Sequence, residues 1–364
     1  MNRTHKFRQG LLLALAMFTA VLVFAAPQRC ADALHAGLVL CGGPLLVSLF
    51  PFLIVSALLM GCGAGPLLGF AFQPAARVIG VRAKAAGSVL LIGFLGGFAP
   101  AAAAAAQAVR TGQLTPRQAS ALLPACVCSG PSFVILTVGE QMLGSRALGV
   151  RLFAAQLLAG YLTAAVLCRM QGGAGQCLPA KAEEIPLPTL DAVVAQAAVT
   201  YLKLCGFVLY FRLLAAGAET LLPKPWSVLP AMLLEVCSGC DCASRTGLWA
   251  STLCCAALSM QGASVLLQVR TICPPEVSLR PLLAARVLHL PLSLALFWLV
   301  VPGTEQAVQA FSTLSGRVAV MHRVPLDCAL LAFAVCCITV AELQKRCSGQ
   351  CEALHDQHKK TAAR

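Results

Sequence analysis

Apolar runs near residues 11–26, 36–60, 87–106, 120–142, 147–168, 196–222, 228–243, 247–268, 283–302 and 326–344 leave only short stretches of chain between them. The 364 residues carry 27 Lys and Arg and 14 Asp and Glu, or 11% charged, where a soluble domain carries about 25%. So few charges cannot coat a globule of this size, which excludes a water-soluble protein. A helical crossing needs about 20 apolar residues, so a chain that is 59% hydrophobic has material for roughly eight to ten membrane segments. The low aromatic content, 6%, and the abundance of Ala, Gly and Leu suit closely packed helices rather than a barrel of alternating strands. The expected fold is an all-α polytopic membrane protein.

The net charge of +13 does not require nucleic acid, because the basic residues sit in short clusters between apolar runs and form no continuous groove. Arg3, Lys6 and Arg8 precede the first run, Arg77, Arg82 and Lys84 follow the second, and Lys345, Arg346, Lys359, Lys360 and Arg364 lie in the tail. Short basic loops stay cytoplasmic. That rule puts both termini and the 73–86 loop on the cytoplasmic side of the cell membrane. Residues 1–35 have the basic start and apolar stretch of a secretion signal, but many spans follow, so they read as an uncleaved signal-anchor.

The remaining divisions are a first membrane half, 36–168, a polar Gly- and Pro-rich linker, 169–195, a second half, 196–344, and a cytoplasmic tail, 345–364. Most of the 19 cysteines lie inside apolar runs and read as small hydrophobes, among them Cys41, Cys62, Cys168, Cys205, Cys254 and Cys255. In the tail, Cys347, Cys351, His355 and His358 have zinc-ligand chemistry but no second knuckle, so they are a weak metal candidate beside a solvated tail. No cofactor is expected.

Several runs are broken. Pro44, Pro51, Gly61 and Gly63 interrupt the second, Gly96, Gly97 and Pro100 the third, and Ser129, Gly130 and Pro131 the fourth. Backbone groups freed at membrane depth must be satisfied by protein or by cavity water, so these breaks point inward. The two halves resemble one another, with Gln107, Arg110 and Thr111 answering to Gln268, Arg270 and Thr271. Repeats joined by broken helices are the construction of many secondary transporters. An inverted arrangement is possible if 228–243 crosses the membrane.

Glu235 is a carboxylate among apolar residues, costly there unless paired or hydrated. It can bind a cation, a proton or a polar substrate, or it can cap a helix end or pair with Arg245 near the interface. Gln261, Ser264 and Gln268 fall on one helical stripe that either lines a cavity or bonds a neighbouring helix. Ser129 and Ser132 offer hydroxyls beside the Gly130–Pro131 break and complete the candidate substrate-binding set. No Walker loop, dinucleotide fingerprint, paired-histidine helix or nucleophile elbow is present, and the chain does not read as an enzyme.

Taken in order, these elements resemble the sporulation integral membrane protein family YlbJ, which carries the Gate, or nucleoside recognition, domain. Pro44, Leu49, Phe50, Pro51 and Phe52 look like the family's opening broken helix, and Ser129, Gly130, Pro131 and Phe133, with Val138 and Gly139, look like its Ser-Gly-Pro element. Leu234, Glu235 and Gly239 are similar to its Leu-Glu-x-x-x-Gly, and Gly262, Ser264, Val265 and Gln268 to its Gly-x-Ser-Val-x-x-Gln. The likeness covers roughly 20–300. Two departures stand in the first half: alanines follow Pro100 where the family has a lysine, and Val127 stands where it has an asparagine. The resemblance implies a spore-development membrane component, permease-like, that binds or moves a small polar solute. The rival readings are a membrane scaffold for spore envelope or coat proteins and a nucleoside carrier. The expected partners are the lipid bilayer, the solute, spore envelope proteins or a second copy of the chain, and no nucleic acid.

Overall fold

The computed structural model describes residues 3–62, 67, 69–173, 187–222, 226 and 228–300, and every regular element among them is a helix. The 326–344 run and the Cys347, Cys351, His355 and His358 set lie outside the described residues, as does most of the linker.

Helices α1 (Arg3–Ala25) and α2 (Pro27–Leu40) meet at a bend of 108°, where Pro27 opens the second helix. A π turn, Cys41–Leu45, leads into α3 (Leu46–Gly61). Pro44 has no N–H to give to that turn, which loosens the ladder, and the Cys41 carbonyl accepts the Tyr201 hydroxyl. A short α4 (Gln73–Ile79) turns into α5 (Lys84–Gly96), and α6 (Phe98–Arg110) and α7 (Pro116–Cys126) follow. Next come a π helix (Ser132–Met142) and α8 (Arg146–Met170). The second half holds α9 (Leu190–Leu221), α10 (Val228–Leu234), α11 (Val236–Ser244), α12 (Ala250–Met260), α13 (Gly262–Ile272) and α14 (Arg280–Val300). Helix starts follow their capping residues. Thr115 and Gln118 form a reciprocal capping box on α7, Ser145 accepts from Leu148 N, and Thr189 accepts from Ala192 N.

Among the described residues four stretches are long and apolar enough to cross a membrane: Arg146–Met170, Leu190–Glu219, Gly247–Ile272 and Arg280–Val300. Counting each sharply bent pair as one span raises this to six. The sequence has more apolar runs than this because several are half-length pieces and the 326–344 run lies outside the described residues.

Two of these runs fold back on themselves. The 228–243 run does not cross: the chain reverses at Glu235, so that a Cβ added to Gly239 of α11 would lie 2.7 Å from the Met232 Cα of α10. In the first half α5 packs along α6 across the turn at Gly97, whose φ of 80° only glycine adopts freely. Contact this close dominates helix propensity. Gly239→Ala is expected to cost about 1–3 kcal/mol by overpacking, whereas Gly206→Ala in α9, with no atom within 4 Å of the added Cβ, is expected to gain up to about 1 kcal/mol. Thermal unfolding of the two purified variants gives the comparison.

Each hairpin tip rests on the break in the span that follows it. Gly97 lies against Gly130, between α7 and the π helix, and the Leu234–Glu235 tip lies against Gly262, between α12 and α13. The packing repeats accordingly: α6 contacts α13 as α11 contacts the π helix, and α7 packs on α8 as α12 packs on α14. These contacts pair elements of the two halves by a correspondence other than the Gln107–Gln268 one expected from sequence. The hairpin α5–α6 answers to α10–α11, and the α7–π helix span answers to α12–α13. With α7 and the π helix taken as one broken crossing, three crossings separate the start of α7 from the start of α12. The two broken spans then run in opposite directions, as in an inverted repeat.

Candidate functional site

At the breaks, helix ends meet inside a protein core with little water to hydrate them, and two ionisable side chains answer them. The guanidinium of Arg286, on α14, donates to the carbonyl of Val127 at 3.0 Å and to that of Ser259 at 3.3 Å. These are the carboxyl ends of α7 and α12, the negative ends of their dipoles. One arginine thus ties the two broken spans together with no carboxylate partner among the described residues. A buried polar network continues from it: Gln156 Nε2 donates to the Ser259 hydroxyl (2.8 Å) and the Cys255 carbonyl (3.0 Å), and His289 Nε2 bonds the Gln156 carbonyl (3.0 Å).

Glu235 is 1% exposed, and both its oxygens serve the amino end of its own hairpin arm. The backbone N–H groups of Cys237 and Ser238 donate to it at 2.8 and 2.6 Å, and the Ser238 hydroxyl at 3.0 Å. The capping reading of this carboxylate is the one its geometry carries. Glu235→Ala is expected to cost about 2–3 kcal/mol, and Glu235→Gln, which keeps one acceptor oxygen, about 1 kcal/mol. Thermal melts of both variants check the order.

Elsewhere α3, α6, α9 and α13 enclose a cavity of about 670 Å³. Gln107, Arg110, Thr111 and Gln113 at the end of α6, Gln196, Thr200 and Lys203 of α9, and Gln268 and Thr271 of α13 supply its polar wall, and no acidic residue among the described residues lines it. Arg110 and Lys203 are exposed to this space, and neither has an ion-pair partner among the described residues. Arg110 lies in the last turn of α6, where a helix dipole favours a cation. Lys203 has no such reason to be charged, because it stands roughly 20 Å along α9 from its start. Gln268 is 2% exposed. Its Nε2 donates to the Ser264 hydroxyl at 2.8 Å, while its Oε1 has no partner.

The structure therefore divides the sequence candidates. Gln268 lines the cavity and Ser264 stands behind it, whereas Glu235, Gln261, Ser129 and Ser132 are absent from its wall. Ser129 is buried beside the first-half break and Ser132 is half-buried one turn further on. The pocket expected to join Ser129 to Glu235 and Gln261 is not this cavity. Lys203 and Thr200 escaped the sequence reading, which took Gln107 and Arg110 as marks of a repeat and not as cavity residues. The available signal was Lys203 itself, the one charge between Asp191 and Arg212 in an otherwise apolar helix. Of the cysteines read as packing groups, Cys41, Cys168, Cys205, Cys254 and Cys255 are buried, and Cys62 is exposed. Comparison of the chain with family models, with curated proteins and with solved structures finds no match.

Proposed function

We propose that this multi-pass membrane protein binds a small polar solute bearing negative charge in the cavity between α3, α6, α9 and α13, and that it carries the solute across the membrane. The observation that supports this reading is Lys203, an ammonium at membrane depth that has no ion-pair partner among the described residues and faces a space whose described lining has a second cation, four amides and no carboxylate. A charge there is costly, and residues of this kind mark solute or ion paths. The cavity lies at the carboxyl ends of α3, α6 and α13 and the amino half of α9. The chain leaves α3 on that face towards the basic loop of Arg77, Arg82 and Lys84, so by the positive-inside rule the cavity opens to the cytoplasm. Placement in spore development rests on the likeness to the YlbJ family alone.

Reconstitution into liposomes tests the reading. Radiolabelled succinate and inorganic phosphate should accumulate or bind above protein-free vesicles, and labelled uridine should not. Uptake of uridine alone would move the assignment to a nucleoside carrier. No binding of either anion at millimolar concentration would remove the anionic solute.

A further inference from the structure

Gln261 stands apart in the fold. It is the only non-glycine residue at positive φ among the described residues (φ 58°), it is 1% exposed, and neither its amide oxygen nor its amide nitrogen has a hydrogen-bond partner. A buried amide with both ends unsatisfied is rare in native proteins. Here it sits where the α12–α13 break meets the tip of the second hairpin, since a Cβ added to the adjacent Gly262 would lie 2.9 Å from both the Leu234 carbonyl oxygen and the Glu235 nitrogen.

The helix ends around this seam are unevenly served. Arg286 satisfies the carboxyl ends of α7 and α12, and Glu235 satisfies the amino end of α11. The carboxyl end of α10, at Leu234, closes on the same seam with no cationic side chain hydrogen-bonded to it among the described residues. The terminal carbonyls of a helix lack intrahelical donors and carry its negative end. A buried amide oxygen, terminal carbonyls and a neighbouring carboxylate make an environment that favours a hard cation. Divalent ions favour direct carboxylate ligands, and both Glu235 oxygens are already engaged by N–H and O–H donors. That leaves a monovalent ion.

We infer that the seam between Gln261 and the Leu234–Glu235 tip is a binding site for a monovalent alkali cation, with the Gln261 amide oxygen as its side-chain ligand. The site is separate from the solute cavity. The two are joined along one helical stripe, because Ser264 and Gln268 follow Gln261 at three and seven residues, and Gln268 reaches the cavity wall. Ion occupancy would fix the hairpin tip against the break and so bias the α13 stripe that faces the solute.

The test uses the full-length protein in detergent, with thermal unfolding measured in sodium, potassium and N-methylglucamine chlorides at equal ionic strength. Sodium or potassium should raise Tm by about 2–4 °C over N-methylglucamine at concentrations well above Kd. In Gln261→Gly the left-handed backbone is retained without strain, so the variant should fold at least as well in N-methylglucamine and lose the alkali-cation response. In Lys203→Ala the response should persist, which keeps this test independent of the solute reading. Equal Tm in the three salts for the wild type, as expected of a seam holding water, would overturn the inference. So would an undiminished sodium or potassium response in Gln261→Gly.

Discussion

Replacing Arg286 with leucine is expected to destabilise the protein by about 3–5 kcal/mol, the largest stability loss of any substitution considered. Two hydrogen bonds from a charged donor, each contributing about 1.5–3 kcal/mol, would disappear. The Val127 and Ser259 carbonyls would remain buried without them, and the α7 and α12 ends would lose the one group that joins them. Leucine fills similar apolar volume, so the effect isolates the polar contacts. Arg286→Lys keeps the charge but presents a point donor that cannot span both carbonyls, and it should fall between the two. Thermal unfolding of detergent-purified variants measures this. A Leu variant melting within about 2 °C of wild type would show that the two carbonyls find other donors and that Arg286 does not hold the breaks together.

The sites of the first-half breaks were legible in the sequence, because Gly96–Pro100 and Ser129–Pro131 interrupt apolar runs with residues that free backbone or tolerate unusual φ. What each break does was not. A run such as 228–243 has the same apolar content whether it crosses as one helix or folds into two seven- to nine-residue arms. The choice rests on a non-local fit, the Met232 backbone against a glycine at 239. The likeness between Gln107–Thr111 and Gln268–Thr271 was a real pattern with another cause. Gln107, Arg110, Thr111, Gln268 and Thr271 all line the same cavity from two walls, so the shared residue types reflect a common place on its wall and not equivalent places in the two halves. Glu235 and Lys203 show the limit most clearly. Each is an isolated charge in an apolar stretch, and the sequence reading singled out only the acid, as a carboxylate costly among apolar residues. The carboxylate's partners are its own next two or three residues, a local cap that its spacing allowed. The lysine's surroundings come from α3, α6 and α13, which only the folded chain brings together.

Lys203 should carry the largest effect on binding, and the sign of its effect on stability should be opposite. Lys203→Leu is expected to lower affinity for a bound succinate or phosphate by about 10- to 100-fold, equivalent to about 1.4–2.7 kcal/mol. Its ammonium faces the cavity with no carboxylate among the described lining residues to neutralise it. Lys203→Arg should keep affinity within a few-fold, and Lys203→Glu should abolish binding by placing like charge against the solute. A charge at membrane depth held for function costs stability, so Lys203→Leu should also melt higher than wild type, by about 2–4 °C for a gain near 1 kcal/mol. A purely structural lysine would behave differently, losing stability and affinity together as its contacts vanish. Equilibrium binding and thermal melts on the same preparations separate the cases. Affinity retained within twofold in Lys203→Leu, or a lower Tm accompanying its loss, would remove Lys203 from the site and with it the argument that the cavity is built for an anion.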